Sequence, residues 1–90
     1  MEKTSAIIHN EKGIHVRPSG LIFKAIMGYS GTIIVTKDGV DTEINDIISI
    51  LTLGLGHNCQ IEISVNGENE KEMIGILKGL FEKSYEFEEQ

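Results

Sequence analysis

The sequence predicts an α+β fold in which a largely antiparallel sheet carries helices stacked on one face. Three observations predict it. The elements run β-α-β-β-α-β-α along the 90 residues. Lys37-Asp38-Gly39 stands between two apolar runs, and Asp-Gly there signals a tight hairpin. Gln60 to Asn66 alternates, with Ile61, Ile63 and Val65 on one side and Gln60, Glu62 and Ser64 on the other, the pattern of a strand with one wet face. Periodicity leaves a ferredoxin-like ligand-binding arrangement of the same element order open.

Taken in order, Thr4 to His9 is expected as the first strand, and Asn10-Glu11-Lys12-Gly13 as a loop with Gly13 supplying backbone freedom. From Val16 to Gly28 the pattern turns helical, because Ile22, Ala25, Ile26 and Tyr29 recur at three- and four-residue steps. Pro18 fits the first turn, where a missing N–H costs little. Ser19 and Gly20 are poor helix formers whose small size points to close packing. Gly28 and Gly31 mark the exit. Thr32 to Thr36 is β-branched throughout, and Val40 to Ile44 pairs back on it. Asn45 is the expected cap of a short helix reaching Leu53, with Asp46 in its positive first turn. Asn69 is expected to cap the last helix, whose buried stripe is Met73, Ile74, Leu77, Leu80 and Phe81. Residues 85–90 are expected as a frayed tail, and residues 1–90 as a single domain.

Composition excludes more than it selects. Fourteen acidic against eight basic residues give a formal charge of −6, the wrong sign for nucleic acid or an anionic membrane surface. No apolar run approaches the roughly 20 residues that span a bilayer. The first apolar run, Ala6 to Ile8, is too short for a secretory core, so a cytoplasmic protein is expected. Cys59 has no partner for a disulfide and no metal-type spacing, and reads as a small, partly buried hydrophobe. His9 and His57 lack metal-spaced companions and are assigned surface or capping roles.

The informative stretch is Gly13-Ile14-His15-Val16-Arg17-Pro18-Ser19. A histidine precedes a helix start, where unpaired amides and roughly half a positive charge favour an anion. Arg17 adds a guanidinium whose planar fork suits phosphate oxygens. Val16 and Arg17 would supply backbone donors, while Pro18 sets the chain direction without using one. An isolated His-x-Arg-Pro carries little weight, since short motifs are common by chance. Its context here is specific.

Gly13-Ile14-His15-Val16-Arg17-Pro18 resembles the Gly-(Leu/Ile)-His-(Ala/Val)-Arg-Pro motif of the HPr family, the phosphocarriers of the phosphoenolpyruvate-dependent sugar phosphotransferase system. Ile47 through Gly54 is similar to that family's second helix, at the same spacing from the histidine, and the likeness runs from Thr4 to Lys83. The resemblance implies an open-faced β-sandwich, four antiparallel strands under three helices. It implies that His15 accepts a phosphoryl group on Nδ1 from phosphorylated Enzyme I and passes it to the histidine of a sugar-specific IIA component. Arg17 would pair with the phosphate, no metal or organic cofactor would be needed, and the chain would be a carrier rather than an enzyme.

The family's second helix forms an apolar docking patch. Four large apolar residues on one short helix are too many for one buried side, and Ile47, Ile48 and Leu51 are the expected docking residues. Lys24 is the expected charged contact to an acidic partner. Two departures stand out. Asp46 occupies the position of a regulatory serine in many relatives, which implies either no regulation there or a permanently negative, phosphoserine-like surface. Ser49 is a weaker candidate acceptor. Met27 and Ser49 stand where relatives carry basic residues, which would weaken docking to an acidic Enzyme I. The alternative purpose is a regulatory paralogue that signals through protein binding, with other regulatory proteins as partners. A monomer is expected of either.

Overall fold

The computed structural model describes residues 1–85. Strand β1 (Glu2–Ile7) leads through a loop to α1 (Val16–Ile26). Strands β2 (Thr32–Lys37) and β3 (Val40–Glu43) form the hairpin, followed by α2 (Ile47–Leu51), β4 (Gln60–Asn66) and α3 (Glu70–Glu82). The four strands form one antiparallel sheet in the order β1-β4-β2-β3.

Register follows the alternation in the sequence. Ile63 lies opposite Thr4 on β1 and Val35 on β2, so the buried residues of neighbouring strands share one face. Ala6, Ile33, Val35, Ile61, Ile63 and Val65 meet Ile22, Ile26, Ile74, Leu77 and Phe81 of the helices in a single core. Lys3, Ser5, Thr32, Asp41, Gln60 and Glu62 are exposed on the opposite face, so the sandwich is open. The hairpin turns through Asp38 and Gly39, both with positive φ (52° and 79°), as the Asp-Gly pair requires. Cys59 packs half-buried against the core. No helix is long and apolar enough to cross a membrane among the described residues.

Several local expectations are corrected. β1 begins at Glu2 and ends at Ile7, two residues earlier at each end than the apolar run suggested. Asn69 caps α3 with its backbone alone: its φ of 54° is left-handed and its side chain makes no cap bond. Ser19 is fully buried, as its size implied, but a Cβ on Gly20 would meet nothing within 4 Å, so packing does not call for glycine there. Tyr85, assigned to a frayed tail, is fully buried. Its hydroxyl donates to the Leu80 carbonyl at 2.6 Å and its N–H donates to Asn10 Oδ1. A large aromatic ring gains from burial what a polar tail would not. The rest of that tail, residues 86–90, lies outside the described residues.

Strand β1 is a sheet edge, and α3 supplies its outer partners. The Lys78 ammonium donates to the Ser5 carbonyl at 2.6 Å, and the Ile7 N–H donates to the Glu82 carboxylate at 3.1 Å. Lys78 and Glu82 also pair with each other at 3.1 Å. The Ile7 N–H, more than the Lys78 charge, holds the Glu82 carboxyl below its ordinary value near 4.5. A carboxylate with a lowered folded-state pKa stabilises the fold above its unfolded value, and that part is lost as pH falls through the folded value. The melting temperature is therefore expected to fall as pH drops below about 4.5, and to fall less in Glu82→Gln, as followed by circular dichroism.

Candidate functional site

The loop before α1 is tied to the loop after α2. Past the end of β1, Ile8 continues the pairing: its N–H donates to the Cys59 carbonyl (2.9 Å) and its carbonyl accepts from Asn58 (2.7 Å). The chain then turns at Asn10, whose carbonyl accepts from the Gly13 N–H at 2.9 Å. Gly13 has φ +72°, and a Cβ there would stand 2.2 Å from the Leu55 carbonyl oxygen. Only glycine allows this approach. Ile14 follows with its side chain buried and its N–H on that same Leu55 carbonyl at 2.8 Å.

His15 emerges from this anchorage as the N-cap residue of α1, with extended backbone (φ −101°, ψ −161°) and no side-chain cap bond. The first intrahelical bond runs from the Ser19 N–H to the His15 carbonyl at 3.0 Å. The Val16 and Arg17 amides lie ahead of it and have no helical acceptor, and Pro18 has no N–H. Among the described residues these two amides have no acceptor, so the helix start presents two unspent donors directly after His15. Pro18 and Ser19 are buried beneath them, with Ser19 Oγ donating to the Val16 carbonyl at 2.9 Å. The ring is half-buried: Nε2 is shielded from solvent and has no hydrogen-bond partner among the described residues.

Arg17 is exposed, and its guanidinium makes no hydrogen bond or ion pair among the described residues. Lys24 lies seven residues further along α1, about 20° from Arg17 around the axis and about 10 Å along it. Both are exposed, so α1 carries two cations in one direction from the histidine.

Helix α2 packs beside α1 and is only five residues long, too short to persist without help at its ends. Its cap is Asp46, not Asn45. The Asp46 carboxylate accepts from the Ser49 N–H at 2.7 Å, while Ser49 Oγ accepts from the Asp46 and Asn45 amides at 3.2 and 3.0 Å. Asparagine and aspartate cap equally well, and the hydroxyl at the third helical position decides between them. At the other end, Lys37 Nζ donates to the Gly54 carbonyl at 2.9 Å. Asp46→Ala is expected to cost about 1 kcal/mol by removing the cap. Urea denaturation measures that loss, which Asp46→Ser is expected to restore in large part.

Ile48 is 68% exposed, Ile47 is exposed, Leu51 is half-buried and Ile50 is fully buried. The crowded helix thus turns one residue inward and leaves the other three on an apolar patch, with Met27 exposed at the end of α1. His9 and His57 are exposed, and neither directly precedes a helix. Asn10, Leu55 and Tyr85 set the geometry of the His15 loop, yet sequence reasoning passed over all three. The bonds that join them, Asn10 to Tyr85 and Ile14 to Leu55, link residues far apart along the chain, and no local pattern marks those.

The profile described as the PTS HPr component phosphorylation site matches residues 2–83. The chain belongs to the HPr family. The phosphocarrier protein HPr of Mycoplasma genitalium is 32% identical over 85 residues, which cover 93% of this chain and 97% of that protein. The phosphocarrier protein NPr of Escherichia coli K12 is 28% identical, over 93% of this chain and 94% of its own length. In fold, the chain is similar to the crystal structure of HPr-C-His from Thermoanaerobacter tengcongensis. That likeness has a TM-score of 0.84 and 30% identity, and covers 100% of this chain and 99% of that one. The open-faced sandwich expected of an HPr-family chain is the fold observed, and the histidine motif sits at its first helix start.

Proposed function

We propose that this HPr-family chain is a phosphocarrier that takes a phosphoryl group from phosphorylated Enzyme I onto His15 Nδ1. It then passes the group to the histidine of a IIA component. The observation that carries this reading is the position of His15 as the N-cap residue, with the Val16 and Arg17 amides unspent beside it. In the first step the Nδ1 lone pair attacks phosphorus and the donor's phosphorus–nitrogen bond breaks. Its electron pair returns to the donor imidazole, and the Nε2 proton of His15 stays in place. Such a transfer needs alignment and charge compensation rather than a general base. The two amides and the Arg17 guanidinium meet the phosphoryl oxygens, and Pro18 keeps the helix start in line.

Ile47, Ile48 and Leu51 form the docking patch for successive partners, and Lys24 steers an acidic one. The chain acts as a cytoplasmic monomer, exposing one face to each partner in turn, and is a carrier rather than a catalyst in its own right. Asp46 holds a fixed negative charge where a regulatory serine stands in many relatives, so this surface is not switched by a kinase at that position. Ser49 is an unsuited substitute, because its hydroxyl is committed to the α2 cap.

A regulatory paralogue is the second reading, favoured by the fixed charge at Asp46 and by the likeness to NPr. Incubation with radiolabelled phosphoenolpyruvate and Enzyme I tests both. Acid-labile, base-stable phosphate that moves on to a sugar-specific IIA component is the expected result. Absence of incorporation overturns the phosphocarrier reading. Incorporation that no sugar-specific IIA component drains favours the regulator.

A further inference from the structure

Asn10 lies five residues before His15 and touches none of the groups assigned to the phosphoryl group. Its side chain is fully buried, an uncommon place for asparagine. Both ends of its amide are used: Nδ2 donates to the Gly13 carbonyl at 2.7 Å, and Oδ1 accepts the Tyr85 N–H from 75 residues away. Its backbone carbonyl accepts the Gly13 N–H at 2.9 Å.

Gly13 is thus held on both its N–H and its carbonyl by one residue, and the next amide, Ile14, is held by Leu55. The backbone entering His15 has little torsional freedom left. The direction in which the imidazole leaves the chain, relative to the Val16 and Arg17 amides, is set there. Tyr85 completes the device. Its ring is fully buried and its hydroxyl is fastened to the Leu80 carbonyl, which fixes the direction of the N–H that reaches Asn10.

Asparagine serves both bonds where an aliphatic residue or aspartate would not. An aliphatic side chain leaves the Gly13 carbonyl and the Tyr85 N–H buried without partners. Aspartate keeps the acceptor for Tyr85 but places a carboxylate against the Gly13 carbonyl.

We infer that Asn10 is a positioning residue for His15, and that Tyr85 acts on the phosphoryl acceptor through it. The inference rests on reading His15 as the acceptor, and the experiment separates the two. Steady-state phosphorylation by Enzyme I and phosphoenolpyruvate is measured for Asn10→Ala, Asn10→Asp, Tyr85→Ala and the double variant. Val65→Ala serves as a control destabilised in the sheet, away from the loop. The ring-nitrogen resonances of His15 are recorded for each variant without phosphate.

The maximal rate is expected to fall about 10²-fold in Asn10→Ala, the order of loss that misplacing a reacting group by about 1 Å brings. Asn10→Asp falls similarly, because it loses the Gly13 arm while keeping the Tyr85 arm. KM for Enzyme I stays unchanged in both, since the docking helix is untouched. The Tyr85→Ala loss is smaller and not additive with that of Asn10→Ala. The His15 resonances shift in the Asn10 variants and not in Val65→Ala. Wild-type maximal rate and unshifted resonances in Asn10→Asp overturn the proposal, as does an equal rate loss in Val65→Ala. If wild type itself takes no phosphate, the functional reading fails, and the ring resonances alone still decide whether Asn10 positions His15.

Discussion

No phosphate is expected on His15→Ala, however long it is incubated with phosphoenolpyruvate and Enzyme I. Its fold is expected to survive. The imidazole makes no cap bond to α1, so alanine removes no helix-stabilising contact of the kind that costs about 1 kcal/mol at a capped end. The chain has two other histidines, His9 and His57, and both are exposed. Neither is the N-cap residue of a helix, so neither is expected to replace His15 as acceptor. Phosphate incorporation and a thermal melt on the same sample check the two halves of this expectation. Incorporation at the wild-type level would move the acceptor to another residue.

Gly13→Ala is expected to damage both stability and transfer. The left-handed backbone at φ +72° costs an alanine about 1–2 kcal/mol. The added Cβ would also stand 2.2 Å from the Leu55 oxygen and 2.9 Å from Gly56 Cα, both backbone atoms, so the loops must part. Parting them breaks the Ile14–Leu55 hydrogen bond, worth about another 1 kcal/mol. A total of about 2–3 kcal/mol corresponds to a melting-temperature drop on the order of 10–20 °C in a domain of this size. Gly39→Ala is the comparison: its φ is +79° but nothing lies within 4 Å of the new Cβ, so only the torsional cost applies. Equal melting temperatures in the two variants would show that the Leu55 contact carries no weight.

What the sequence made legible was whatever depends on neighbours a few residues apart. The alternation in β4, the Asp38-Gly39 turn and the helix start after His15 are local signals, and each appears where its spacing places it. The cap of α2 was misread by one residue because Asn45 and Asp46 are chemically equivalent as caps. The choice rests on Ser49, which reaches back over both amides. Asn10 and Tyr85 were not legible at all. In sequence, one is a polar residue in a loop and the other an aromatic beside an acidic tail. Their roles come from a bond between residues at opposite ends of the described chain, and no periodicity encodes that. The proposed site divides the same way: the groups proposed to meet phosphate are contiguous, and those proposed to orient them are not.

The ion pair laid along β1 has a consequence for the protein in a crowded solution. An outermost strand with bare carbonyls and amides is a template on which another chain can stack and begin a fibril. Here the rung at Ser5 and Ile7 is already occupied by an ammonium and a carboxylate from α3. A foreign strand would have to strip both charges of their partners before it could register. Electrostatics at one seam thus guards this edge of the sheet against a foreign strand, while the opposite edge at β3 carries no such pair among the described residues.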